Sequence, residues 1–172
     1  MLPNDAARRM LSIHPLMESQ IDAMRLLARS IWQSTYASLI SQAQIDFMLA
    51  DRYAAARIRA QLDDTGHVWR LAWWDSEMVG FAHAGIETSA CKLEKLYLHP
   101  NYQRRGIGGA LLAAVKSFAR EHAATRLWLQ VNRGNTAAIA AYQKHGFMIR
   151  EARVFDIGGG FVMDDYVMEV LF

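Results

Sequence analysis

The chain has 172 residues, 52% hydrophobic and 21% charged, which suits one packed domain and argues against disorder over most of its length. The net charge of +2 comes without a broad basic face, and the one local focus, Arg104 and Arg105 with Lys95 and Lys116, suits a small anionic ligand rather than nucleic acid. A single cysteine, Cys91, excludes an internal disulfide, and no run of roughly 18 apolar residues predicts a membrane span.

Residues 1–10 are expected as a disordered tail and 11–172 as one domain without repeats or linkers. Arg8 and Arg9 are followed by Ser12, His14 and Pro15 rather than an apolar run, which disfavours a signal peptide. Together with a Cys91 expected as a small buried side chain, that points to the cytoplasm. "MLSIHPL" alternates like a first strand. From Glu18 to Tyr36, Ile21, Met24, Leu27, Ala28, Ile31 and Trp32 recur at helical steps. "SQAQIDFMLADRYAAARIRAQL" reads as one further helical region capped by Ser41.

The texture then changes to strands. "HVWRLAWW" and "EMVGFAHAGIE" predict an antiparallel hairpin, and "KLEKLYLHP" a strand ended by Pro100. After three glycines, Leu111, Leu112, Val115, Phe118 and Ala119 mark a helix. "RLWLQV" has the near-continuous apolar texture of a sheet interior. "NTAAIAAYQKHG" is a short helix with Asn135 near its cap and Gly146 at its end, and two strands around "GGG" close the chain. This order predicts an α/β (α+β) domain, a mixed sheet with helices on both faces.

The stretch "YLHPNYQRRGIGGALLAAV" is the most informative one. A strand, a loop with Gly106, Gly108 and Gly109, and a helix start together form a site for phosphate oxygens, because the missing side chains admit a ligand and the first helical amides lack partners. Glycines alone would equally make a flexible turn. A Walker loop fails, since Gly109-Ala110-Leu111 stands where Gly-Lys-Ser/Thr is needed. A dinucleotide fingerprint fails too, with Leu111 in place of its third glycine and no acidic residue closing "RLWLQV".

Gln103-Arg104-Arg105-Gly106-Ile107-Gly108 resembles the Gln/Arg-x-x-Gly-x-Gly/Ala signature of the GCN5-related N-acetyltransferases (GNAT). "LQVNRGNTAAIAAYQKHGF" is similar to that family's next block, through Asn135, Ala138, Tyr142, Gly146 and Phe147, and "LEKLYLHPNYQ" resembles the strand and turn before the loop. These blocks span residues 67–172 in the family's order. "IWQSTYASLISQAQIDFMLADRY" and "FDIGGGFVMDDYVMEVLF" resemble the polyamine-acetylating branch.

The resemblance implies a mostly antiparallel sheet of about seven strands with a splayed fourth and fifth strand, acetyl-coenzyme A as cofactor, and no metal. It assigns the diphosphate to Gln103, Arg104, Arg105, Gly106, Ile107, Gly108 and Gly109, although the arginines could instead be solvated. It assigns the pantetheine arm to the backbone of Leu96, Tyr97 and Leu98, with an amide near Leu96 polarising the thioester carbonyl. It makes Tyr142 the donor of a proton to the departing sulfur, and Asn135 a residue that bonds ligand or only caps its helix. Glu94, two residues before Leu96 and so expected on the same face, aligns with a glutamate base of polyamine acetyltransferases; the alternative is a charge facing solvent or Lys95. Gln130 stands where peptide-acetylating members often carry glutamate.

The implied reaction is acetyl transfer to the primary amine of a small, polyamine-like molecule. Such an amine, with a pKa near 10.4, costs about 4 to 5 kcal/mol to deprotonate at neutral pH unless the site helps. Trp32, Tyr36, His83 and Asp165 are the candidate acceptor residues by location, each equally at home in a core or on a surface. Acetylation of a peptide N-terminus and a non-catalytic coenzyme A sensor are the alternatives. The last strands could pair across a homodimer.

Overall fold

The computed structural model describes residues 10–172, so all but Met10 of the expected tail lies outside the described residues. Seven strands form one sheet in the order β1-β2-β3-β4-β5-β7-β6. They are β1 (Leu11–Pro15), β2 (His67–Trp74), β3 (Glu77–Glu87), β4 (Ala90–Leu98), β5 (Arg126–Asn132), β6 (Met148–Gly158) and β7 (Phe161–Leu171). Every pairing is antiparallel except β4 with β5, whose crossover is the helix α4 (Ile107–Glu121). A parallel pair needs a long connection, which the α4 stripe supplies. Ile107, Leu111, Leu112, Val115, Phe118 and Ala119 are all buried against one face of the sheet, where Cys91 also lies. Burial pushes that thiol up to about 12, so it behaves as a small apolar side chain.

The opposite face is covered by α1 (Ile21–Tyr36), α2 (Gln42–Arg52) and α3 (Ala55–Leu62). In α1 the buried Ile21, Met24, Ala28, Ile31, Trp32 and Tyr36 follow the predicted spacing. Ser41 caps α2 by accepting from the Gln44 amide at 3.2 Å. The single helical region expected over 41–62 is broken at Tyr53 and Ala54. The break turns the Tyr53 ring into the core, where it is 2% exposed and its hydroxyl accepts from Trp32 Nε1 at 2.9 Å. Its carbonyl, released from the helix, accepts from Arg25 Nε at 2.8 Å.

The β2–β3 hairpin has the predicted boundaries and turns at Asp75 with φ 56°. Strand β5 is interior to the sheet, yet it alternates: Leu127, Leu129 and Val131 are buried and the residues between them are half-buried. Its apolar texture predicted burial on both faces, whereas the second face opens where α1 and α2 stand off from it. The helix α5 (Thr136–Lys144) starts at Asn135, whose Oδ1 accepts from the Ala138 amide at 3.3 Å. Among the described residues no helix is long and apolar enough to cross a membrane.

Two irregularities shape β4. It pairs with β5 only from Ala90↔Arg126 to Leu93↔Leu129, and beyond that the strands part, which is the splay implied by the resemblance. Against β3 the register passes from Ala84↔Leu93 to His83↔Lys95, which leaves Glu94 as the extra residue of a β-bulge. Farther along, Gly80 lets β4 approach closely: a Cβ there would stand 2.8 Å from the Tyr97 carbonyl oxygen and 2.9 Å from Leu98 Cδ1. Gly80→Ala is therefore expected to destabilise the fold by about 1 to 3 kcal/mol in urea unfolding, since the nearest atom is backbone and cannot rotate away.

Candidate active site

The loop between β4 and α4 begins with a 3-10 turn at Pro100–Tyr102, whose cap His99 accepts from the Asn101 amide through Nδ1 at 3.3 Å. Arg104 (φ 60°) and Gly106 (φ 81°) are both left-handed, an alternation that turns successive amides toward one concavity. The first helical hydrogen bond from the loop is made by the Ala110 amide to the Gly106 carbonyl at 3.1 Å. The amides of Ile107, Gly108 and Gly109 precede it and have no partner within the helix. A Cβ built at Gly106 or Gly108 meets no atom within 4 Å, so the space over both is open. Gly109 differs: a Cβ there would lie 3.1 Å from His145 Cε1, and its glycine serves helix packing.

The two arginines are unequal. Arg105 donates to the Asn101 carbonyl at 3.1 Å and lies over the rings of Trp74 and Tyr102 at 5.4 and 5.3 Å, which fixes it as part of the loop's scaffold. Arg104 is exposed and makes no hydrogen bond or ion pair among the described residues. Gln103 is exposed beside it, its amide donating to the Pro100 carbonyl at 3.2 Å.

A narrow cavity of about 50 Å³ sits where β4 and β5 part. Its walls hold Glu94, Lys95 and Tyr97 from β4, Gln130 and Asn132 from β5, Trp32 and Tyr36 from α1, Arg52 from α2, and Asp165 from β7. The fold thus gathers Glu94, Trp32, Tyr36 and Asp165 from three distant stretches of chain, α1, β4 and β7. The bulge decides the β4 contribution. Leu96 and Leu98 pack on the α4 side of the sheet and Tyr97 on the cavity side, so Glu94 and Leu96 do not share a face as strand alternation predicted.

His83 does not line the cavity. It is 1% exposed, stacked on Trp69 at 4.4 Å, with its Nε2 3.0 Å from Nδ1 of His67. Burial, with the Lys95 charge beside it, lowers its pKa to about 2, so the ring stays neutral. Lys95 was visible only as part of a basic focus or as a partner for Glu94, and Arg52 and Tyr53 only as the end of a stretch resembling the family, with no role attached. A bulge and a helix break put them on the cavity, and neither leaves a periodicity to read.

The cavity's aromatic wall is continuous. Trp32 lies 4.6 Å from Tyr36 and 5.7 Å from Tyr97 between ring centroids, and the Tyr36 and Tyr97 hydroxyls are 3.1 Å apart. Burial raises the pKa of Tyr36, Tyr53 and Tyr97, so all three remain neutral phenols. Among the charges, Lys92 Nζ and Glu94 Oε1 pair at 3.2 Å. Asp165 is 4% exposed, one of its carboxylate oxygens has no hydrogen bond, and burial pushes it up to about 6 against the opposing charge of Arg52. Burial likewise lowers Lys95 to about 8, partly offset by Glu94.

Tyr142 projects from α5 against the core under α4, its ring 5.6 Å from Phe147. It is outside the cavity's walls, yet close enough for its charge and those of Tyr36 and Tyr97 to bear on one another. Burial, then Tyr36, holds its hydroxyl above the usual phenol range, so it stays protonated and able to donate.

Residues 25–147 match the acetyltransferase (GNAT) family. The chain is 24% identical over 158 residues to the spermidine N(1)-acetyltransferase of Thermoplasma acidophilum, covering 90% of this chain and 96% of that one. It is 36% identical over 117 residues to an uncharacterized N-acetyltransferase of Mycobacterium tuberculosis, covering 67% and 74% of the two chains. In fold it is similar to the PaiA N-acetyltransferase of Thermoplasma acidophilum, solved in complex with coenzyme A, with a TM-score of 0.81 at 24% identity over 95% of this chain and 99% of that one. A ribosomal-protein-alanine N-acetyltransferase from Brucella melitensis superposes with a TM-score of 0.70 at 22% identity, covering 94% and 99%. With the splayed strands, the open glycine loop and a family match across most of its length, the chain belongs to the acetyltransferase (GNAT) family and is an N-acetyltransferase.

Proposed function

We propose that the protein moves an acetyl group from acetyl-coenzyme A to the primary amine of a small molecule by direct attack. The observation that carries this reading is the cavity itself, which opens where the β4–β5 pairing stops, its walls running from Lys92 and Leu93 at the end of the ladder to Glu94, Gln130 and Asn132 beyond it. A donor laid in the splay and an acceptor in the cavity would then meet at one point. Gln130 on β5, where peptide-acetylating relatives often carry glutamate, favours the small amine over a peptide N-terminus.

The loop fits the cofactor's diphosphate. The open space over Gly106 and Gly108 admits phosphate oxygens to the amides of residues 104–109, and Arg104 adds a charge that pairs with none of the described residues. When bound, acetyl-coenzyme A supplies a thioester-activated acetyl group and a thiolate leaving group. The chain supplies the rest. Along the edge of β4 that β5 leaves free, the stretch Leu96, Tyr97 and Leu98 would hold an extended arm as a further strand would, and Asn135 stays the cap of α5. Tyr142 donates the proton to the departing sulfur.

Deprotonating the acceptor falls to the cavity's carboxylates. Glu94 stands first beyond the paired segment and takes the proton, directly or through water. Asp165, which lines the same cavity and keeps one buried oxygen without a hydrogen bond, receives the incoming ammonium. Kinship with a spermidine acetyltransferase at 24% identity supports a small amine but leaves its other groups to the cavity lining.

The reading is tested by following free thiol as acetyl-coenzyme A meets a panel of small amines and N-terminal peptides. Release with a small amine ahead of every peptide is expected; intact coenzyme A binding with no release from any acceptor would leave only a sensor domain. Tyr142→Phe should lower kcat by a factor on the order of 100 or more with little change in coenzyme A affinity. Gly108→Val fills space that is open in the protein, and should weaken coenzyme A binding at least about tenfold while the thermal midpoint holds.

Asp165 couples the protein's stability to pH. Its folded pKa is raised from 3.8 to about 6, so its favourable contribution is complete below the unfolded pKa and is lost as the pH rises through 6. Asp165→Asn should thus stabilise the protein at pH 8 by roughly 2 kcal/mol, with the gain vanishing near pH 4 in denaturant titrations, while slowing acetyl transfer.

A further inference from the structure

Once the charges of the cavity are paired off, three remain. Lys92 and Glu94 hold each other at 3.2 Å, which leaves Arg52, Lys95 and Asp165. Arg52, in the last turn of α2, is half-buried and makes no hydrogen bond or ion pair among the described residues. Its charge nevertheless bears on Tyr36, Tyr53, Lys95 and Asp165, which places it within electrostatic reach of the whole cavity. Lys95 is 8% exposed, and its ammonium faces only rings, Tyr53 at 5.2 Å and Trp69 at 5.3 Å. Ring faces attract a cation but accept none of its three N–H donors, and among the described residues no oxygen does.

Keeping cations in a partly dry cavity with no directly bonded counter-charge is costly, and a protein keeps such an arrangement where a ligand completes it. The third charge is opposite in sign and equally incomplete: Asp165 is buried with one carboxylate oxygen lacking any hydrogen bond. The same cavity therefore presents an unmet pair of cations and an unmet anion.

We propose that the acceptor is an amine that also carries a carboxylate, its anionic group held by Arg52 and Lys95 and its amine turned to Asp165 and Glu94. Such a molecule brings to each cavity charge its opposite. A polyamine brings two or more positive charges to a lining in which Arg52, Lys92 and Lys95 already outnumber Glu94 and Asp165, and one of those carboxylates is bound to Lys92. The guanidinium offers a planar fork that matches a carboxylate in two parallel bonds, and the ammonium a third, shorter-range contact. This inference rests on the reading of the cavity as the acceptor site of an acetyltransferase and narrows its substrate class.

The test uses the whole protein at saturating acetyl-coenzyme A and follows thiol release with acceptors matched in length. One set comprises α- and ω-amino carboxylates, a second their carboxamides, and a third α,ω-diamines together with spermidine. The expected result is a kcat/KM for the best amino carboxylate at least about tenfold above its own carboxamide and above every diamine. Arg52→Gln and Lys95→Met should each shrink that carboxylate-to-carboxamide ratio about tenfold or more, a change in preference that a loss of folding, acting on both acceptors alike, would not produce. Carboxamides or diamines turned over as well as the carboxylates overturn the proposal while leaving the transferase reading intact, and so does a ratio that neither variant moves. Coenzyme A binding without thiol release from any amine overturns both.

Discussion

Everything that gives this protein a site depends on a parallel strand pair that stops early. From Ala90 to Leu93, β4 is tied to β5, and the β5 strand is in turn tied to β7, so three elements are held rigidly at one end. Beyond Leu93 the strands part, and backbone groups that a continuous sheet would use internally become available. The glycine loop stands at the end of β4 because the chain must turn there into α4 to cross over to β5. Splay, loop and cavity are consequences of one geometry, the short ladder and its obligatory crossover.

The bulge at Glu94 is the second device. One inserted residue reverses which β4 side chains face α4 and which face the cavity, so that Leu96 and Leu98 close the core while Tyr97 and Lys95 join Glu94 on the other side. A regular strand would have alternated Glu94 and Lys95 across the sheet, and the cavity would have kept only one of the two. Bulges recur beside functional sites for this reason: they re-aim a side chain without moving the strand.

Burial then sets the chemistry of what the bulge and the helix break have gathered. It keeps the phenols neutral, pushes Asp165 toward the range in which a carboxyl exchanges protons near neutrality, and brings Lys95 down toward a freely exchanging amine. Near neutral pH the shifts of Asp165 and Lys95 oppose folding, because each states that the charged form is worse off inside than in water, whereas the phenols are neutral whether folded or unfolded. Their gathering in one cavity, away from the satisfied ion pairs of the surface, marks where stability has been surrendered to function.

Much of this was legible in the chain. Helix α1, the β2–β3 hairpin, the α4 stripe and the Asn135 cap follow from periodicity and capping, which act over a few residues and leave their mark in local order. The blocks around Gly106 and Tyr142 carried the family. Trp32, Tyr36 and Asp165 were placed near the acceptor from position alone, and the structure puts them on one cavity. What the sequence could not settle were the events that depend on partners far away. The break at Tyr53 answers Trp32 and Arg25, the bulge at Glu94 answers β3, and the open face of β5 answers helices packed elsewhere. His83 shows the limit from the other side: a histidine on a central strand reads as available, until stacking on Trp69 and burial beside Lys95 make it part of the core. Local order, then, determined the elements, the glycine loop and the family, whereas only the tertiary structure decided which charges share the cavity, because side-chain direction and desolvation are properties of the packed neighbours and not of the residue itself.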